Sequence, residues 1–138
     1  MRFMVIVKAN EKSEAGIMPP KQLFADMAKL NEEMVNAGVL LAADGLQPSA
    51  KGARVKYEGT KRTVADGPFS ETKELVAGFW ILQVKSKEEA IEWAKRVPFQ
   101  EGEVEVRQVS EASDFPPEVF SDEDAAKEQA LRDRLPKA

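Results

Sequence analysis

The sequence predicts an α+β fold, a ferredoxin-like split β-α-β with an inserted hairpin, and three observations carry that prediction. Apolar segments follow the order strand, helix, strand, hairpin, strand, helix, strand. The first strand and the strand around Phe79 and Trp80 are apolar on both faces, as strands covered on both sides are. Only two amphipathic helices stand among these strands, and two helices cover one face of the sheet they form. The second face therefore needs a cover from outside the chain, and a second copy is the simplest, so a homodimer is expected.

Each element has its own signal. Phe3, Val5 and Val7 alternate with Met4 and Ile6 in the first strand. A polar loop leads to Pro19 and Pro20, placed where a helix begins, and Leu23, Met27, Leu30 and Met34 then fall on one helical stripe that Gly38 closes. Val39 to Ala43 reads as a short buried strand running into an Asp44-Gly45 turn. Arg54 to Tyr57 and Lys61 to Val64 flank Glu58-Gly59-Thr60 as a hairpin, and Asp66-Gly67-Pro68 marks a further turn.

Val76 to Val84 places Gly78, Trp80, Leu82 and Val84 on one face and Ala77, Phe79 and Ile81 on the other. Ser86 and Glu89 have capping-box spacing for a helix that packs through Ala90, Ile91, Ala94 and Val97 and stops before Pro98. Glu103 to Val109 alternates charge with valine, a last strand with one wet face. The domain is thus expected over residues 1–110. Residues 111–138 read as an acidic C-terminal tail: Phe115-Pro116-Pro117 breaks the chain, and a capped, charged helix follows from Ser121. That tail either lies across a partner subunit, with Phe115 and Phe120 as anchors because two phenylalanines favour burial, or frays.

Composition excludes several function classes. A chain of 138 residues with 43% hydrophobic and 32% charged residues has the make-up of one globular domain. No stretch approaches the roughly 20 apolar residues of a membrane span. The run at Met1 to Lys8 is too short for a secretory core, so a cytoplasmic location is expected. Residues 1–110 hold 16 acidic and 16 basic side chains, and the net charge of −4 lies wholly in the tail. Nucleic acid needs a continuous basic footprint, which a balanced body does not offer. With neither cysteine nor histidine, thiolate and imidazole metal sites and their nucleophilic triads are ruled out. No GxxxxGK[ST] loop or GxGxxG fingerprint is present, and no cofactor is expected.

Proton transfer is left to carboxylates, lysines and the single tyrosine, Tyr57. Asp44, after a buried strand, is the catalytic candidate if it stands at the mouth of a cleft, where a partly buried carboxylate serves as acid or base. Its plainer role is a turn, with the carboxylate accepting backbone N–H bonds. Asp66-Gly67-Pro68-Phe69 explains itself as a turn plugged by an aromatic ring, and a functional reading adds Asp66 and Lys73 at a pocket rim. Arg62 belongs to a basic cluster on the hairpin that either meets an anion or protects an exposed edge. Phe79 and Trp80 are either aromatic walls of a ligand site beside Gly78, whose missing side chain permits close approach, or plain core or dimer packing.

The string Val64 to Glu74, with its Asp66-Gly67-Pro68-Phe69 core, followed by Ala77-Gly78-Phe79-Trp80 and Glu89 to Ala94, resembles the DGPF branch of the YCII-related family. Ala37 to Leu40 and Gly45-Leu46-Gln47-Pro48 fit as well. The resemblance implies a dimeric α/β barrel with a small-molecule cleft between sheet and helices in each subunit. Some relatives sit beside or are fused to sigma factors, and some are suggested to use a His and Asp pair. Here Lys21 and Gln22 stand near the start of the first helix, and Gln47 takes another place where close relatives can carry histidine. Only Asp44 is left of such a pair. Two functions follow as expectations: a dimer binding a small organic molecule, of lyase or isomerase kind with a carboxylate acid/base, or a non-catalytic interaction or regulatory module.

Overall fold

A computed structural model describes residues 1–136 of the chain, which divide into two compact units, Met1–Gln108 and a C-terminal unit from Val109. The first unit holds β1 (Arg2–Lys8), α1 (Glu11–Glu14), α2 (Lys21–Asn36), β2 (Leu40–Gly45), β3 (Ala53–Glu58), β4 (Lys61–Asp66), β5 (Val76–Gln83), α3 (Lys87–Lys95) and β6 (Val104–Gln108). Four strands form an antiparallel sheet in the order β2-β5-β1-β6. With α2 between β1 and β2, and α3 between β5 and β6, this is the ferredoxin-like split β-α-β arrangement. The β3–β4 hairpin forms a separate two-stranded sheet.

Strand alternation decides what the helices cover. Phe3, Val5, Trp80, Leu82 and Val84 pack with Leu30 and Met34 of α2 and Ala90 of α3 into one buried core. Met4, Ile6, Ala77, Phe79 and Ile81 alternate with those residues on the strands, point away from both helices, and stay half-buried. Trp80 donates its indole N–H to Asn31 Oδ1 at 2.9 Å, which leaves that buried ring without an unmet polar atom.

Three local expectations are corrected. The polar loop after β1 contains one helical turn, α1, where Asn10 Oδ1 accepts from the Ser13 N–H and Ser13 Oγ accepts from the Asn10 N–H. The Asp44-Gly45 pair is not a turn: the pairing with β5 runs through it, Asp44 opposite Phe79 and Gly45 opposite Gly78, and Leu46 still donates to Ala77 at 2.8 Å. At α3, Ser86 Oγ accepts from the Glu89 N–H, but Glu89 reaches back to the Lys85 N–H rather than to Ser86.

The C-terminal unit contains α4 (Asp122–Arg132), capped reciprocally by Ser121 and Asp124. Glu123–Lys127 and Glu128–Arg132 pair along it at 3.3 and 2.6 Å. Phe115 and Phe120 meet edge to face, with centroids 6.0 Å apart.

Candidate functional site

Asp44 lies at the end of β2 on the face turned away from α2 and α3, beside Phe79 of the neighbouring strand. Its carboxylate is exposed and has no side-chain hydrogen bond or ion pair among the described residues. The cleft expected between sheet and helices is occupied there by Trp80, Leu82 and Met34. Inward from Asp44 run Phe79, Ile6, Ile81 and Met4, a continuous apolar surface across β5 and β1. Its far edge on β6 is charged: Glu105 pairs with Lys8 at 3.5 Å and with Arg107 at 3.6 Å. Gly78 is explained by backbone contact, because a Cβ there would come within 2.9 Å of the Asp44 carbonyl oxygen.

The Asp66-Gly67-Pro68-Phe69 loop forms the second cluster, and it is built as a latch. Gly67 donates to the Gly52 carbonyl at 3.0 Å, and a Cβ on it would lie 1.7 Å from the Ser49 carbonyl oxygen, so no side chain fits. The Gly67–Pro68 peptide bond is cis. Phe69 donates its N–H to Ser49 Oγ at 3.0 Å, and the Arg54 guanidinium covers its ring at 3.8 Å while approaching Glu71 at 3.7 Å. Ser49 in turn gives its hydroxyl proton and its N–H to the Glu14 carboxylate.

Those two bonds, the hydroxyl first and the amide second, hold the Glu14 carboxyl below its ordinary 4.5, with desolvation acting the other way. A carboxylate so stabilised is a poor base for its serine neighbour. The pair therefore ties α1, the segment after β2 and the loop before β5 together, rather than forming a nucleophile with its base. Sequence reading did not single out Glu14 or Ser49. They are 35 residues apart and carry no local signature of their contact.

The remaining candidates do not converge. Phe79 and Trp80, adjacent on β5, point to opposite faces of the sheet, so they cannot wall one pocket. Arg62 lies over the Tyr57 ring at 4.7 Å near the hairpin tip and donates to the Gly59 and Lys61 carbonyls. Asp66 ends β4 opposite Ala53 at the hairpin base. Gln47 accepts from Lys51 Nζ at 3.4 Å, and Lys73 sits exposed in a 3-10 turn over Thr72–Glu74. A shallow cavity of about 210 Å3 between α3 and β6, lined by Val97, Phe99, Glu101 and Val104, includes none of them. Among the described residues no three acidic side chains are grouped to hold a metal ion, and no helix is long and apolar enough to cross a membrane.

Fold and surface together define an α+β domain of ferredoxin-like order whose second sheet face, turned away from α2 and α3, is partly apolar and half-buried. The model of the YCII-related domain matches residues 1–113, and the chain belongs to that family. It is 31% identical over 75 residues to an uncharacterised protein of Rhizobium meliloti, a match covering 54% of this chain and 60% of that protein. The aligned stretch is thus less than two thirds of that relative's length. Among solved structures, it is similar to 5-chloro-2-hydroxyhydroquinone dehydrochlorinase from Burkholderia phenoliruptrix AC1100, in complex with 2,5-dihydroxybenzoquinone. There the TM-score is 0.43 at 13% identity, over 84% of this chain and all of that one.

Proposed function

We propose that this YCII-related protein, of the DGPF branch, works as a homodimer joined through the sheet face opposite α2 and α3 into a dimeric α/β barrel, and binds a small organic molecule where the two copies meet. The observation that carries the reading is the apolar surface of Met4, Ile6, Phe79 and Ile81, turned away from α2 and α3, with the Asp44 carboxylate at its edge. A copy laid on that face would enclose Asp44 beside Phe79 and supply the partial burial that a single chain does not give it. In that setting Asp44 is the acid/base for a lyase- or isomerase-type proton transfer, and Phe79 is an apolar wall.

Wild type and Asp44→Asn, screened by thermal shift against organic acids, lactones, phenols and sugar phosphates, test this directly. A ligand at about 100 times its dissociation constant stabilises by roughly 2.7 kcal/mol. The expected result is a shift that the variant loses while its unliganded melting point stays put. A hit of equal size in both proteins would remove Asp44 from the site. The second reading, a non-catalytic regulatory module, draws on the latch, where Ser49, Arg54 and Glu71 around the DGPF loop are engaged in holding the loop in place. Silence across the whole screen would favour it.

A further inference from the structure

The two faces of the β3–β4 hairpin differ. On one, Arg54 at the base covers Phe69, and Lys56 and Lys61 continue toward the tip. The other consists of three cross-strand rows: Ala53 with Asp66 at the base, Val55 with Val64 in the middle, Tyr57 with Arg62 near the tip. Val55, Tyr57 and Val64 are 48%, 70% and 64% exposed. An isolated two-stranded ribbon is marginal in water, and this one leaves its apolar side bare.

The arrangement of that side is self-complementary. Turn a second hairpin over the first about a two-fold axis that crosses both strands at the middle row. Tyr57 then lies over Ala53, Arg62 over Asp66, and each valine over its own equivalent. Large meets small, cation meets anion, and apolar meets apolar. Arg62 is held on this face by the Tyr57 ring and the turn carbonyls, and the Asp66 carboxylate has no side-chain partner among the described residues. We propose that the β3–β4 hairpin pairs face to face with the hairpin of a second copy about this two-fold axis.

Six side chains from each copy are far fewer than the roughly 20–30 residues a side of a standard interface. The contact therefore joins copies that the sheet face has already gathered, and in this it rests on the reading above. It uses a different surface, so the two can fail separately.

The absence of cysteine makes single replacements clean reporters. In the full chain, Val64→Cys treated with a short bis-maleimide is expected to cross-link to itself, whereas Lys61→Cys, on the opposite face, is not. Added to Val64→Cys, Arg62→Asp or Asp66→Arg alone should lower the cross-linked yield by about tenfold, since like charges then face each other. Mixing those two proteins should restore it, because the exchanged charges then meet across the axis. Arg62 and Asp66 of one chain are four residues apart along a single strand, too far to pair, so recovery on mixing reads contact between copies. Sedimentation of Ile81→Arg reports the sheet face independently. If Val64→Cys cross-links no more than Lys61→Cys while Ile81→Arg halves the mass, the hairpin contact is wrong and the sheet-face dimer stands. Strong cross-linking with no effect of Ile81→Arg on mass would show that a surface other than the sheet face gathers the copies, removing the sheet-face dimer while the hairpin contact stands on that other association, and a monomeric wild type would remove both.

Discussion

The glutamate at position 14 acts far from its place in the chain. Its carboxylate takes two hydrogen bonds from Ser49, and through Ser49 Oγ it reaches the N–H of Phe69. A carboxyl whose folded pKa lies below its unfolded value contributes stability in full above the unfolded value and loses it as pH falls through the folded one. Glu14 is lowered from 4.5, so its contribution is complete above that pH and disappears under acid. Denaturant midpoints followed below pH 4.5 should fall less steeply in Glu14→Gln than in wild type. Gly67 allows a sharper prediction. A methyl group there collides with the Ser49 carbonyl, a backbone atom that cannot step aside, so Gly67→Ala should cost about 3 kcal/mol or more in urea unfolding, at or beyond the upper range for overpacking. Loss of less than about 1 kcal/mol would mean that the loop relaxes freely. The sequence marked Asp66-Gly67-Pro68-Phe69 as a plugged turn. What the plug presses against came from Ser49 and Arg54, which no pattern of spacing connects to it.

At the scale of elements, the sheet and its two covering helices were legible because each satisfies one period of apolar residues. The misses came where two local signals competed. Asp44-Gly45 has the composition of a turn, yet the ladder with β5 continues past it, because breaking it would strip paired backbone groups next to a strand already fixed by its core side chains. The hairpin was also readable: Gly59 takes a φ of +59°, as the first position of a type II′ turn requires. Its anchoring was not. Phe69 is half-buried beneath Arg54 at the hairpin base, and Phe69→Ala should speed amide hydrogen exchange across β3 and β4 while leaving β1 and β5 protected. Uniform acceleration in all strands would show instead that the hairpin and the main sheet open as one unit.

For the molecule as a whole, the balance between its two sheet faces matters most. Leu82 is fully buried on the helix face, and Leu82→Ala should cost about 2–5 kcal/mol. Ile81, one residue earlier, is half-buried on the other face. Ile81→Arg should leave the unfolding free energy of the isolated chain within about 1 kcal/mol but abolish the proposed dimer in analytical ultracentrifugation. If Ile81→Arg unfolds the chain as severely as Leu82→Ala, the second face is covered from within the chain and no partner is needed. Adjacent residues with opposite outcomes would make the alternation of a strand visible in solution.

By itself the sequence determined the order of the elements, the two-sided apolar character of β1 and β5, and the family, since periodicity and a contiguous motif are both local properties of a chain. Tertiary structure decided which residues are neighbours. It separated Phe79 from Trp80 across the sheet, extended β2 through Asp44, and bound Glu14 to Ser49 over 35 positions. Contacts of that kind depend on strand register and on how loops close in space, and register is set jointly by all the strands that share a core.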